Sequence, residues 1–244
     1  MTGTRDIPVR VRIISLAGSP RRAAMACQFG GVPGLDWSFF DALRVLPDGL
    51  AYDQAAARRL IRRELTGGEV GCFASHAALW RELVERGDAA VVVLEDDVLI
   101  DPGFLAALPG VVAATSAHPF VRLHAKAPVA ARVIGRVAGR HLVRYRGIAF
   151  GTQGYILRRE GALRWLASIT TVVRPVDDEI DRFWAHGVAN IGIHPSPLIE
   201  LSGPSTIEGA RRGLPPPRWS DFGWQRRRAV ESARRTLANL KAPR

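Results

Sequence analysis

Residues 91–98, VVVLEDDV, place an uninterrupted aliphatic run directly before three carboxylates, Glu95, Asp96 and Asp97. A run this short, lying between segments of helical spacing, is the pattern of a central strand covered on both faces. It predicts an α/β fold with a mainly parallel central sheet flanked by helices. One flank is GCFASHAALWRELVERGD, where Phe73, Ala77, Trp80 and Val84 recur at helical spacing between Gly71 and Gly87.

Other segments fit the same class. VRVRIISL (9–16) alternates and then turns apolar, as a strand entering a sheet interior does, and breaks at Gly18, Ser19 and Pro20. A helix is expected over 52–65 with Arg58, Arg59, Arg62 and Arg63 exposed, whereas 35–50 shows no clear period. Residues 101–120 open with DPG and are helix-like until Pro109, and 121–146 reads as short strands. A strand over about 148–157, a helix over 159–168, a further helix after Pro175 and a late strand in VANIGIHPSPLIEL complete the body. No internal repeat is visible.

With 244 residues, the chain can bury a substantial core as one large domain or two small ones. No apolar run approaches bilayer length, and the N-terminus lacks a continuous apolar segment of the secretory kind, so a cytoplasmic protein is expected. Cys27 and Cys72 fit reduced thiols, without the spacing of a zinc site or a disulfide framework.

The net charge of +11 is unevenly distributed. Residues 211–244 hold nine arginines and Lys241 against Asp221 and Glu231, which is +8 of the total. The expected organisation is therefore a domain over 1–210 and a basic Pro/Arg-rich tail over 211–244, with Pro215–Pro217 as a stiff spacer and a helix over about 224–240. In that helix Val230, Ala233, Leu237 and Leu240 form one stripe among arginines, which suits either an anionic membrane surface or packing on the domain. The basic charge is not interleaved with stacking aromatics, so no nucleic acid partner is expected.

Ligands of open α/β sheets sit beyond the carboxyl ends of the strands, where Asp96 and Asp97 fall. Adjacent carboxylates repel unless they share a cation, and Mg²⁺ or Mn²⁺ held by one or two of them together with substrate phosphates is a usual arrangement. The other reading is an acidic strand end that caps the next turn. Similarly, Arg21 and Arg22 in SPRR form either an anion clamp after the first strand or a solvated surface.

Several blocks in order carry a family resemblance: VRIISLAGSPRR, EVGCFASHAALW, VVVLEDDV, FGTQGYILRREGA, RPVDDEI and Ser205-Thr206-Ile207. Together they resemble glycosyltransferase family 25, the lipopolysaccharide and lipooligosaccharide glycosyltransferases. The resemblance runs from about residue 9 to 207, leaves the tail outside, and implies a GT-A-like fold. It also implies a UDP-sugar donor (commonly UDP-galactose), a saccharide or glycolipid acceptor, inversion at the transferred sugar, and Mn²⁺ or Mg²⁺ as cofactor.

Glu95-Asp96-Asp97 then stands where the family has its DxD-like motif. Asp97 is the expected metal ligand, Asp96 is expected at the donor or the metal, and Glu95 supports them. Ser15, Arg21, Arg22, Glu69, Ser75, His76, Thr152 and Tyr155 are the remaining expected donor-site residues. His76 reads alternatively as a core histidine and Tyr155 as a core aromatic. Asp177 is expected to deprotonate the acceptor hydroxyl, with Asp178 as its substitute, although acids at a helix start also serve as caps. His194 is a further candidate for the metal, and His186 and Glu200 are weaker site candidates. A non-catalytic sugar-nucleotide or saccharide-binding module is the alternative function.

Overall fold

The computed structural model describes residues 9–32, 35–201 and 222–242. In chain order the first half holds β1 (Val9–Ser15), α1 (Arg21–Phe29), β2 (Leu35–Asp41), β3 (Ala51–Tyr52), α2 (Gln54–Ile61), α3 (Gly67–Arg86), β4 (Ala90–Glu95), β5 (Val98–Ile100) and α4 (Pro102–Ala114). The second half holds β6 (Phe120–Arg122), β7 (Ala131–Val137), β8 (Arg140–Tyr145), β9 (Gly154–Arg158), α5 (Arg159–Ser168), β10 (Thr171–Val172), α6 (Val176–Ile180), α7 (Phe183–His186), β11 (Ile191–His194), β12 (Leu198–Glu200) and α8 (Phe222–Lys241). No helix among these is long and apolar enough to cross a membrane.

Eight strands form one sheet in the order β2-β1-β4-β9-β6-β11-β8-β7. The fold is α/β as expected, but the sheet is mixed rather than mainly parallel. β1 pairs parallel with β2 and β4, and β6 with β11, whereas β9 runs antiparallel between β4 and β6, and β8 antiparallel between β11 and β7. An apolar run reports burial on both faces and is silent on the direction of its neighbours. In β4, Val92 and Leu94 enter one core, with Met25, Phe29, Phe104 and Leu108, while Val91 and Val93 enter the other, with Phe73, Trp80 and Trp165. Period-2 alternation thus places a hydrophobic side chain on each face at every step.

Local chemistry explains where the elements begin. α3 starts at Gly67, four residues before the expected Gly71, because Thr66 and Glu69 form a reciprocal capping box. Gly71 is internal and serves a close approach: a Cβ there would lie 2.6 Å from the Leu43 carbonyl oxygen. α4 continues through Pro109, whose ring lies on the solvent side. β9 begins only at Gly154, because Phe150 (φ 55°) and Gly151 (φ 84°) adopt left-handed backbone incompatible with a strand.

The tail helix α8 packs on the body by its polar side. Glu231 accepts from Arg182 Nη2 at 2.8 Å and from Trp184 Nε1 at 3.2 Å, and Asn239 donates to the Arg146 carbonyl at 2.9 Å. The apolar stripe faces outward, with Val230, Leu237 and Leu240 exposed by 44%, 56% and 77%. Ser205-Thr206-Ile207 and Pro215–Pro217 lie outside the described residues.

Candidate active site

The carboxyl ends of β1 and β4 open into a cleft of about 990 Å³, within the usual size range of small-molecule sites. One wall is the loop after β1, from Ser15 to Arg21; the other comprises residues 150–153 and Asp177. The first turns of α3 close one side through Glu69, Cys72, Ser75 and His76, and Lys126 and Glu200 also line the cleft.

The three adjacent acids have different partners. Glu95 accepts from the Thr152 hydroxyl and lies 3.6 Å from His76 Nε2. Burial alone would raise its carboxyl, but His76, Thr152 and Lys126 outweigh it and the group titrates below the ordinary carboxylate value. Asp96 is engaged at both oxygens, by Ser15 Oγ at 2.6 Å and Ser19 Oγ at 3.0 Å on Oδ2, and by Arg21 Nη1 at 3.4 Å on Oδ1. These contacts fix the loop after β1. Asp97 Oδ1 is buried without a hydrogen-bond partner among the described residues. Its carboxyl is pushed up to about 6 by burial, then by Glu95 and Glu200, with Arg21 opposing. A largely buried carboxylate oxygen left over beside other oxygen donors fits a hard divalent cation.

The remaining expected residues divide between the cleft and its support. Arg21 lines the cleft, whereas Arg22 turns away to Asp41 and the Ser15 carbonyl and covers the Phe39 ring. Glu69 lines it too, but its carboxylate is held by Arg63 through two contacts of 2.7 Å and by the Thr66 amide. Ser75 donates to the Gly71 carbonyl and accepts from the Leu43 amide, which ties the 42–44 loop to α3. Tyr155 lies in the core, against Phe120 and Trp165, and its hydroxyl meets His76 Nδ1 at 2.8 Å and accepts from Trp80 Nε1 at 3.0 Å. Burial first of all raises the Tyr155 phenol far above its ordinary value. It therefore orients His76 and does not line the cleft.

Asp177 lines the cleft, accepting from the Gly151 amide at 3.4 Å and the Asp178 amide at 3.0 Å. Asp178 lies behind it, outside the lining, and is pushed up to about 6 by burial and then by Asp177, with Arg174 opposing. The structure does not bring His194 to the cleft: it ends β11, exposed, in register with His141. His186 is a core residue between the Ile180 carbonyl and the Val188 amide, and burial pushes it down to about 4. Glu200 does reach the cleft, paired with Lys126 at 2.9 Å.

Sequence reasoning missed three contributors, Cys72, Lys126 and Arg122, and read a fourth, Asp181, only as a fallback base after Asp178. Cys72 lies one helical turn before His76, and its thiol is pushed well up, by burial first and then by Glu95. Lys126 is one of only two lysines in the chain, which was the available signal. The buried pair of Arg122 and Asp181, 2.6 Å apart, shapes the wall from behind. Arg122 donates to the Phe150 and Gly151 carbonyls, and Asp181 accepts from the Phe150 amide at 2.7 Å. Nothing in the local pattern distinguishes Asp181 from its acidic neighbours.

Comparison with known proteins adds an independent line. The family model for glycosyltransferase family 25 (LPS biosynthesis protein) matches residues 10–180. The lacto-N-neotetraose biosynthesis glycosyltransferase LgtB of Neisseria meningitidis serogroup A is 38% identical over 95 residues, 37% of this chain and 33% of that protein. A probable inactive glycosyltransferase 25 family member 3 of Bos taurus is 38% identical over 117 residues, covering 43% of this chain and 18% of its own. A glycosyltransferase 25 family member of Drosophila pseudoobscura pseudoobscura is 30% identical over 138 residues, 56% of this chain and 22% of that protein. These matches span about a third or less of each relative's length.

Proposed function

The chain belongs to glycosyltransferase family 25, and from that premise we propose that its cleft transfers a hexose, with galactose the expected sugar, from a UDP-sugar to a saccharide acceptor of cell-envelope lipopolysaccharide or lipooligosaccharide. On this reading the sheet is a GT-A-like scaffold. The observation that carries the proposal is Asp97, whose buried Oδ1 has no hydrogen-bond partner among the described residues, in the lining of a cleft large enough for a nucleotide sugar. Asp97 would hold Mn²⁺ or Mg²⁺, while Asp96, engaged at both oxygens, fixes the loop beside it. Such an ion, when bound, would supply Lewis-acid chemistry that neutralises charge on the departing diphosphate.

The chain's own residues supply the rest. Arg21 offers a guanidinium to the donor phosphates from the loop that Asp96 fixes. Lys126 adds a second cation to the lining. Asp177, anchored by two backbone amides, takes the proton from the acceptor hydroxyl as that oxygen attacks the anomeric carbon, so the sugar inverts. The acceptor meets the enzyme at the cytoplasmic face of a membrane: the outward stripe of α8, with Arg226, Arg234 and Lys241 on the same helix, suits an anionic lipid surface. Removal of the chain beyond Leu214 tests that part, and should release the protein from anionic vesicles while sparing transfer to a soluble acceptor.

A second reading, a sugar-nucleotide-binding module without turnover, is favoured by the relatives named inactive, including the human glycosyltransferase 25 family member 3, 57% identical over 42 residues. One experiment separates the two. Thermal shifts with UDP-, GDP- and CMP-sugars, with and without Mn²⁺, identify the donor. Incubation of that donor with a saccharide acceptor then shows product for an enzyme and binding alone for a module. Absence of any nucleotide-sugar shift overturns both readings.

A further inference from the structure

We propose that Cys72, His76 and Glu95 form a binding site for a thiophilic divalent cation of the zinc class, in the lining of the cleft and distinct from the carboxylate of Asp97. The proposal concerns binding alone and does not rest on the transferase reading.

The geometry begins with helix spacing. Cys72 and His76 are four residues apart on α3, one turn, and so share a face. β4 ends opposite that face and brings Glu95 to it. One ligand atom from each side chain, a sulfur, a ring nitrogen and a carboxylate oxygen, lies within 4.8 Å of the other two. Around a tetrahedral zinc with bonds of about 2.0–2.3 Å, ligand atoms stand about 3.3–3.8 Å apart, so modest side-chain rotation closes the group onto one ion.

A second observation points to a ligand. The His76 ring is fully buried, yet Nε2 has no hydrogen-bond partner among the described residues, and Glu95 Oε1 at 3.6 Å is beyond hydrogen-bond distance. A buried ring nitrogen left in this state is costly. Behind it, Nδ1 lies 2.8 Å from Tyr155 Oη, an oxygen that Trp80 Nε1 also reaches. With an ion bound, the ring takes the tautomer that donates from Nδ1 to Tyr155, and Nε2 presents its lone pair to the ion between Cys72 and Glu95. This is the support from behind that metal-binding imidazoles usually have.

The donor set decides the class of ion. Sulfur, nitrogen and one carboxylate select Zn²⁺ or Co²⁺ over Mg²⁺ and Mn²⁺, which prefer oxygen alone. Binding replaces the Cys72 S–H bond by a sulfur–metal bond and releases one proton to solvent per ion. Because all three residues line the cleft, the fourth coordination position opens towards it.

The test is a titration of the purified full-length protein with Co²⁺, followed by absorption spectroscopy. One equivalent should produce a thiolate-to-cobalt charge-transfer band with d–d intensity of a tetrahedral site, and Zn²⁺ but not Mg²⁺ should bleach it. The only other cysteine, Cys27, is exposed and serves as the control. Cys72→Ser should abolish the band and weaken Co²⁺ binding at least tenfold, whereas Cys27→Ser and Asp97→Asn should keep it. No charge-transfer band in the wild-type protein, or one that survives Cys72→Ser, overturns the site. Should Cys72→Ser fail to fold, the wild-type chain supplies the readout: Zn²⁺, and not Mn²⁺, should slow alkylation of Cys72 at least tenfold. An unchanged alkylation rate overturns the proposal equally.

Discussion

Two runs of three consecutive acids border the cleft, Glu95-Asp96-Asp97 at the end of β4 and Asp177-Asp178-Glu179 in α6, and the backbone distributes them differently. After β4 the chain leaves the strand and turns, so its acids reach three separate sets of partners. Glu95 goes to Thr152, Asp96 to Ser15, Ser19 and Arg21, and Asp97 keeps one buried oxygen unpartnered among the described residues. In α6 successive side chains are rotated by about 100°. Asp177 therefore faces the cleft, Asp178 lies half-buried outside its lining, and Glu179 turns to Arg174 at 3.1 Å and Arg182 at 2.6 Å. Like charges in sequence are tolerable when the fold sends each to its own environment, and the acid left facing the cleft marks where a ligand belongs.

The strongest way to break this comparison is Asp97→Asn. Transfer should fall by about 10³-fold, since the loss is several kcal/mol of charge stabilisation at the departing diphosphate. The melting temperature should hold or rise, because the change removes a largely buried charge whose carboxyl is already pushed up to about 6. Retained turnover, with stability lost instead, would make Asp97 a structural acid like Asp96. Next comes Asp177→Asn, which keeps size and one of the two amide contacts: kcat should drop about 10²-fold or more while donor affinity stays within about twofold. Early melting with normal kcat would reduce Asp177 to a helix cap.

Asp178→Asn sharpens the contrast through pH. Its folded carboxyl, at about 6, lies above the ordinary 3.8, so the native state holds the proton more tightly than the unfolded chain. Stability should consequently fall as pH rises from about 4 to 6, by roughly 1–3 kcal/mol, and level off above. Denaturant unfolding across that range should show a flatter profile for the Asn variant; parallel profiles would mean that the fold does not raise the Asp178 carboxyl. The smallest effect is expected from Asp96→Asn. It weakens charge-assisted hydrogen bonds from Ser15, Ser19 and Arg21 and should cost about 1–2 kcal/mol, read as a lower denaturation midpoint. A loss of turnover as large as that of Asp97→Asn, with no change in stability, would place Asp96 at the metal as well.

Local pattern carried far in this chain where residues answer to near neighbours. The strand at Val9–Ser15, the apolar run of β4 and the helix Arg159–Ser168 follow from periodicity and its breakers, and the ends of β1 and β4 do frame the cleft. The stripe of Val230, Ala233, Leu237 and Leu240 was equally legible as spacing. Its direction was not, because the arginines and Glu231 between the apolar positions found partners on the body and turned the stripe outward.

By itself, the sequence determined the kind of each strongly periodic element and the presence of carboxylates at a buried strand end, since both depend on interactions within a few residues. Tertiary structure alone decided strand direction, because β4 is buried alike by a parallel β1 and an antiparallel β9. It alone drew Tyr155 into the core, left His194 outside the cleft, and joined Arg122 to Asp181 across 59 positions. It also placed Cys72 and His76 against Glu95. Each of those outcomes is a choice among partners distant in the chain, and burial, with the cost of leaving a charge or a ring nitrogen unsatisfied, makes that choice only once the elements pack.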